Sequence, residues 1–147
     1  MFKIYQIFLI VSLFFLSGDK IELKTNKKST MNIYDIEIND INGKILELSE
    51  FKGKYMLFVN VASKCGFTNQ YKSLQKLFQE NTEKTSVRGP EQHKLYKWLT
   101  QKELNGRKNS SVKWNFQKYL VNGNGELIDY WYSLTSPTSS KITNYLK

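Results

Sequence analysis

A mixed α/β sandwich is the fold this sequence predicts, and three observations carry the prediction. Tyr55-Met56-Leu57-Phe58-Val59-Asn60-Val61-Ala62 is nearly continuous in apolar side chains, the pattern of a strand covered on both faces in a parallel sheet. Asn42-Gly43 and Asn122-Gly123 each sit between strand-like runs and read as hairpin turns. Two segments, beginning near Phe67 and Gly89, repeat apolar residues at helical spacing.

The folded part begins near Asn32, where Ile33, Asp35, Glu37 and Asp40 interleave with Tyr34, Ile36 and Ile38 in strand-like alternation. Ile41-Asn42-Gly43-Lys44 turns the chain, Ile45-Leu46-Glu47-Leu48 returns it, and Phe51-Lys52-Gly53-Lys54 turns it into the apolar run. Phe67, Tyr71, Leu74, Leu77 and Phe78 then recur at spacings of 4, 3, 3 and 1, with Lys72, Gln75, Lys76 and Gln79 on the other face. Thr68 or Asn69 can cap that helix. Residues 81–87 are polar and carry no strand pattern. Gly89-Pro90 opens a second helix, proline being favoured at a first helical position, with Leu95, Trp98 and Leu99 on one face. A second hairpin joins residues 117–121 to residues 126–132, and a last helix starts near Ser136-Pro137 with Ile142, Tyr145 and Leu146 inward. Only residues 55–62 carry the buried parallel signature, so either a late strand runs beside them or a piece is missing between Glu80 and Gly89.

Cys65 is the single cysteine and lies just past the C-terminal end of that run, the edge at which ligands bind in open α/β sheets. A thiol at the mouth of a helix meets backbone N–H groups that have no internal partner and carry partial positive charge. They favour the thiolate, which is the nucleophile, so redox chemistry is one reading. A buried small hydrophobe is the other.

At 147 residues, 40% hydrophobic and 24% charged, the chain has the size and composition of one globular domain. Lys3, the apolar residues 4–16 and Ser17-Gly18 have the layout of a secretory signal peptide, and residues 19–31 that of a polar linker. The apolar run is short of the roughly 20 residues a spanning helix needs, so a membrane enters only if residues 4–16 stay uncleaved as an anchor. The expected location is the secretory pathway or an organelle reached through it, or the cytoplasm if the leader is unused. In the first case Asn109-Ser110-Ser111 is a glycosylation acceptor. The net charge of +9 is spread over scattered lysines with no basic stripe interleaved with aromatics, which argues against nucleic acid as partner. No cluster has metal-ligand spacing, and His93, the single histidine, lies far in sequence from Cys65.

Three stretches together resemble the glutathione peroxidase family. They are Asn60-Val61-Ala62-Ser63-Lys64-Cys65-Gly66-Phe67-Thr68, Gly89-Pro90 through Lys97-Trp98-Leu99, and Val112-Lys113-Trp114-Asn115-Phe116-Gln117-Lys118-Tyr119-Leu120-Val121. The resemblance implies a thioredoxin-like sandwich with an N-terminal β-hairpin over residues 32–147. It implies a catalytic cysteine at Cys65, with Trp114 and Asn115 as partners. It implies reduction of hydrogen peroxide or organic hydroperoxides, no cofactor, and glutathione or thioredoxin as the reducing co-substrate. The indole N–H and the amide N–H₂ are donors suited to a thiolate and to charge developing on a leaving oxygen.

The chain departs from the family in the middle. Members carry, after the first helix, a strand ending in an Asn-Gln-Phe motif whose Gln is a further active-site residue, and neither Gln70 nor Gln92 stands in that motif. A βαβ-sized piece of about 30 residues or more is absent. The domain is therefore read as internally truncated, and the alternative function is a non-catalytic member with impaired folding or a redox-sensitive binding role. With Cys65 alone, only an external thiol regenerates oxidised enzyme.

Overall fold

The computed structural model describes residues 31–40, 42–62, 64–77 and 86–146. The leader, the linker apart from Met31, and the segment from Phe78 to residue 85 lie outside the described residues. Two antiparallel sheets are present among those described. In the first, β1 (Glu37–Asn39) pairs with β2 (Ile45–Glu47), the N-terminal hairpin that Asn42-Gly43 predicts. In the second, the order is β3 (Met56–Val59), β4 (Lys118–Val121), β5 (Leu127–Trp131). The helices are α1 (Gln70–Leu77), α2 (Lys94–Thr100), α3 (Lys102–Asn105) and α4 (Ser140–Thr143).

The mixed sandwich and both hairpins stand, but several expectations are corrected. The strand-like alternation at residues 33–36 is not strand. Ile33–Asp35 is a 3₁₀ turn, because Asn32 caps it by accepting from the Tyr34 N–H at 3.0 Å while Ile33 and Ile36 go into the core. The apolar run forms β3, and its partner is the late strand β4, antiparallel rather than parallel, with Met56 opposite Val121 and Val59 opposite Lys118. The strand covered on both faces is β4, buried at all four positions. Burial follows place in the sheet: β4 is flanked on both sides, whereas β3 has one hydrogen-bonded neighbour among the described residues and only Met56 fully buried.

Helix starts also move. Pro90 lies outside α2, which begins at Lys94 because the His93 ring accepts from the Leu95 N–H at 3.2 Å. Likewise α4 starts at Ser140, capped by Ser139, and Pro137 stays in the preceding turn. Ile142 points inward, but Tyr145 is 42% exposed. The short α3, which no periodicity announces, ends at Gly106 with φ of 73°, a left-handed terminator that glycine adopts without steric cost.

The core lies between α2 and the second sheet, around Leu95, Trp98, Leu99, Tyr119, Val121 and Leu127. Trp98 satisfies its indole N–H on the Met31 carbonyl at 3.0 Å, as a buried indole must. The turn before β3 and the turn after β4 touch: Gly53 N donates to Gly123 O at 2.9 Å, and a Cβ on Gly123 would fall 2.5 Å from the Gly53 carbonyl carbon. That contact helps fix the register of β3 on β4, and so where the chain leaves β3.

Candidate active site

The chain leaves β3 at Asn60, only 6% exposed, and this residue builds one half of the site. Its Nδ2 donates to the Trp114 carbonyl at 2.9 Å, and its Oδ1 accepts from Gln117 N at 3.0 Å. Its own backbone carbonyl accepts from Phe116 N. Buried polar groups require partners, and here an amide one residue past a strand finds them in the loop entering β4. From the other side Gln117, fully buried, accepts from Lys113 N at 3.0 Å and donates to Ser111 O at 3.1 Å and to the Tyr119 hydroxyl at 2.7 Å.

Between these clamps Phe116 sits at φ of 58°, a conformation L-residues rarely adopt. The strain is held because its ring is buried, edge-on to Tyr71 at 5.3 Å, and its N–H is taken by Asn60. The loop therefore cannot roll over. Trp114 projects outward, 60% exposed, with Asn115 half-buried beside it. With that exposure Trp114 takes no part in the core.

Cys65 belongs to the other half. It is a free, half-buried thiol, and it does not stand at the mouth of a helix: α1 begins at Gln70. Between Cys65 and α1 the chain makes a succession of tight turns, with Thr68 N donating to Cys65 O, Gln70 N to Phe67 O and Tyr71 N to Thr68 O, at 3.0–3.1 Å. Three-residue turns of this kind lead into the helix and lace the cysteine to its first turn.

Below both halves lies a buried lysine. Lys118, 0% exposed, donates to Gln70 Oε1, to Ser133 O at 3.2 Å and to Thr135 O at 2.7 Å. None of these partners is charged, so burial pushes the amine down from an ordinary 10.5 to about 8. The unfolded chain holds this proton up to about pH 10.5 and the folded one only to about pH 8, so stability rises with pH between them and the gain is lost as pH falls through 8. Tyr119, its hydroxyl pushed up to about 12 chiefly by burial, acts oppositely, but only above pH 10. Thermal unfolding between pH 8 and 10 is expected to show a gain of about 2 kcal/mol, and Lys118→Met to remove it.

A shallow cavity of about 150 Å³ is lined by Asn60, Val87, Arg88, Val112, Trp114 and Asn115. The structure thus brings Trp114 and Asn115 together over Asn60, with the Arg88 cation at the rim, while Cys65 is not among the lining residues. Sequence reasoning missed roles for Asn60, Gln70, Arg88, Lys118 and Ser133. The available signals were a polar side chain closing an apolar run and a lysine inside an otherwise apolar strand. His93 serves as a helix cap. Among the described residues no group of three or more His, Cys, Asp or Glu is placed to hold a metal, and no helix is long and apolar enough to cross a membrane.

A family model described as Glutathione peroxidase matches residues 33–84. A glutathione peroxidase of Lactococcus lactis is 33% identical over 73% of this chain and 93% of its own length. That alignment runs over 147 positions, more than the share of this chain taking part in it, so the relative carries internal residues where this chain has none. The glutathione peroxidase-like peroxiredoxin 2 of Saccharomyces cerevisiae is 29% identical over 75% of this chain and 93% of its own. Among solved structures, Trgpx in its apo form superposes with a TM-score of 0.64 at 33% identity, covering 79% of this chain and 95% of that one.

Proposed function

The chain belongs to the glutathione peroxidase family, with its thioredoxin-like fold, and on that premise we propose that it reduces hydrogen peroxide or organic hydroperoxides through Cys65. The Cys65 thiolate attacks one peroxide oxygen. The O–O bond breaks, the second oxygen leaves as water or alcohol after taking a proton, and the sulfur becomes a sulfenic acid. An external thiol, glutathione or a thioredoxin-type dithiol, then forms a mixed disulfide with release of water. A second thiol resolves it and returns the thiolate. Trp114 and Asn115 donate hydrogen bonds to the sulfur and to the departing oxygen, favouring the ionised thiol and the charge that builds as the O–O bond breaks.

One observation carries this reading: Asn60 anchors Trp114, an exposed indole with an amide beside it, at the end of the same strand from which the chain runs to Cys65. A large aromatic held outward by buried hydrogen bonds contributes little to packing. Cys65 is half-buried and is not sealed in the core. One observation favours the second reading, a non-catalytic member with an oxidisable thiol: the cavity at Trp114 and Asn115 is lined without Cys65.

Trapping separates the two. Treated with one equivalent of peroxide and then a sulfenic-acid-specific dione, the protein is expected to carry the adduct on Cys65 by peptide mass spectrometry, and to turn over when thiol is supplied. An adduct without turnover selects the second reading, and an unmodified Cys65 overturns both.

A further inference from the structure

Two segments far apart in sequence carry the proposed chemistry, the turn at Cys65 and the loop at Trp114 and Asn115. They meet at one residue that neither contains. Ser133, buried just past β5, uses both of its polar oxygens: its hydroxyl donates to Asn115 O at 2.6 Å, and its carbonyl accepts from Gln70 Nε2 at 2.8 Å and from Lys118 Nζ at 3.2 Å. Gln70 is the first residue of α1, laced by Phe67 and Thr68 back to Cys65. Lys118 completes the junction by donating to Gln70 Oε1, so that the Gln70 amide is engaged at both ends.

We infer that Gln70, Lys118 and Ser133 form a positioning junction that holds the cysteine turn and the Trp114-Asn115 loop at a fixed separation. This rests on the peroxidase reading for its catalytic meaning. A cation buried among neutral acceptors is expensive, and apolar side chains of similar volume are often as stable or more so. What an apolar residue cannot do is bind three oxygens from two different segments at once. The junction is therefore a device for geometry. Displacement of about 1 Å between reacting groups costs up to about a hundredfold in rate, which sets the scale of what it protects. Gln70, Lys118 and Ser133 act through other residues and are positioning residues.

Two variants test this in the full chain. Ser133→Ala removes only the hydroxyl link to Asn115, and Lys118→Met removes the amine while keeping the length of the side chain. Amide hydrogen exchange is expected to rise about tenfold at residues 113–117 in Ser133→Ala, and at both 64–69 and 113–117 in Lys118→Met. Oxidation of Cys65 by peroxide is expected to slow about tenfold in each, and Ser133→Thr, which keeps the hydroxyl, to restore the rate that Ser133→Ala loses. A loss of packing alone would not be repaired by returning the hydroxyl. Should Lys118→Met fail to fold, Ser133→Ala decides. Exchange at residues 113–117 unchanged in Ser133→Ala overturns the junction whatever the peroxide data show. Equal peroxide consumption by wild type and Cys65→Ser overturns the peroxidase reading instead, and the exchange result then decides the junction by itself.

Discussion

Replacing Cys65 by serine is expected to abolish thiol-dependent peroxide consumption, with turnover falling at least about a thousandfold. The reason lies in the element rather than the shape. Sulfur gives up an electron pair to a peroxide oxygen and holds the new S–O bond as a sulfenic acid, whereas a serine hydroxyl is un-ionised at neutral pH and has no accessible higher oxidation state. The substitution changes one half-buried atom, so the variant is expected to unfold at the temperature of the parent. Peroxide loss measured with glutathione, and separately with a thioredoxin system, checks the expectation and identifies the reductant in the same experiment. A variant as active as the parent would dismiss the assignment.

The second large effect belongs to Asn60→Ala. This change removes the acceptor for the buried Gln117 N and the donor for the part-buried Trp114 O. A buried polar group left without a partner costs about 1–3 kcal/mol and a part-buried one less, so the pair amounts to about 3 kcal/mol. That is a large share of the roughly 5–15 kcal/mol a domain of this kind possesses. The backbone bond from Phe116 N to Asn60 O survives, but the side-chain bonds on either side of Phe116 are gone, so Trp114 is freed. Denaturant unfolding is expected to show a lower midpoint. Trp114, the exposed tryptophan, is expected to lose fluorescence anisotropy before the global transition.

Much of the architecture was legible because its signals are local. Asn-Gly pairs mark both hairpins, and Leu95, Trp98 and Leu99 mark the buried face of α2. The departures arise where a distant partner decides. Lys118 hides the central strand, since a lysine in the run Gln117-Lys118-Tyr119-Leu120-Val121 argues against burial on both faces unless three distant acceptors receive it. The helix starts moved because His93 and Ser139 supply cap acceptors closer to the helical residues than the prolines stand. Of the candidate site, Trp114 and Asn115 were expected from resemblance to a family, and Cys65 from its place after β3. The roles of Asn60 and Ser133 were not, because neither residue type nor spacing announces a bond to a loop more than fifty residues away in one case and eighteen in the other.

The solitary, half-buried cysteine has a consequence for how long such a molecule would last under the proposed chemistry. With no second cysteine in the sequence to close upon it, the oxidised form would wait for a collision, and the free thiol concentration would set that dwell time. When peroxide arrives faster than thiol, the waiting sulfenic acid takes a further oxygen and becomes a sulfinic acid, a state ordinary thiols do not reverse. On the proposed mechanism each copy would then behave as a fuse: protecting its surroundings while reductant lasts and spent, permanently, once supply falls behind demand.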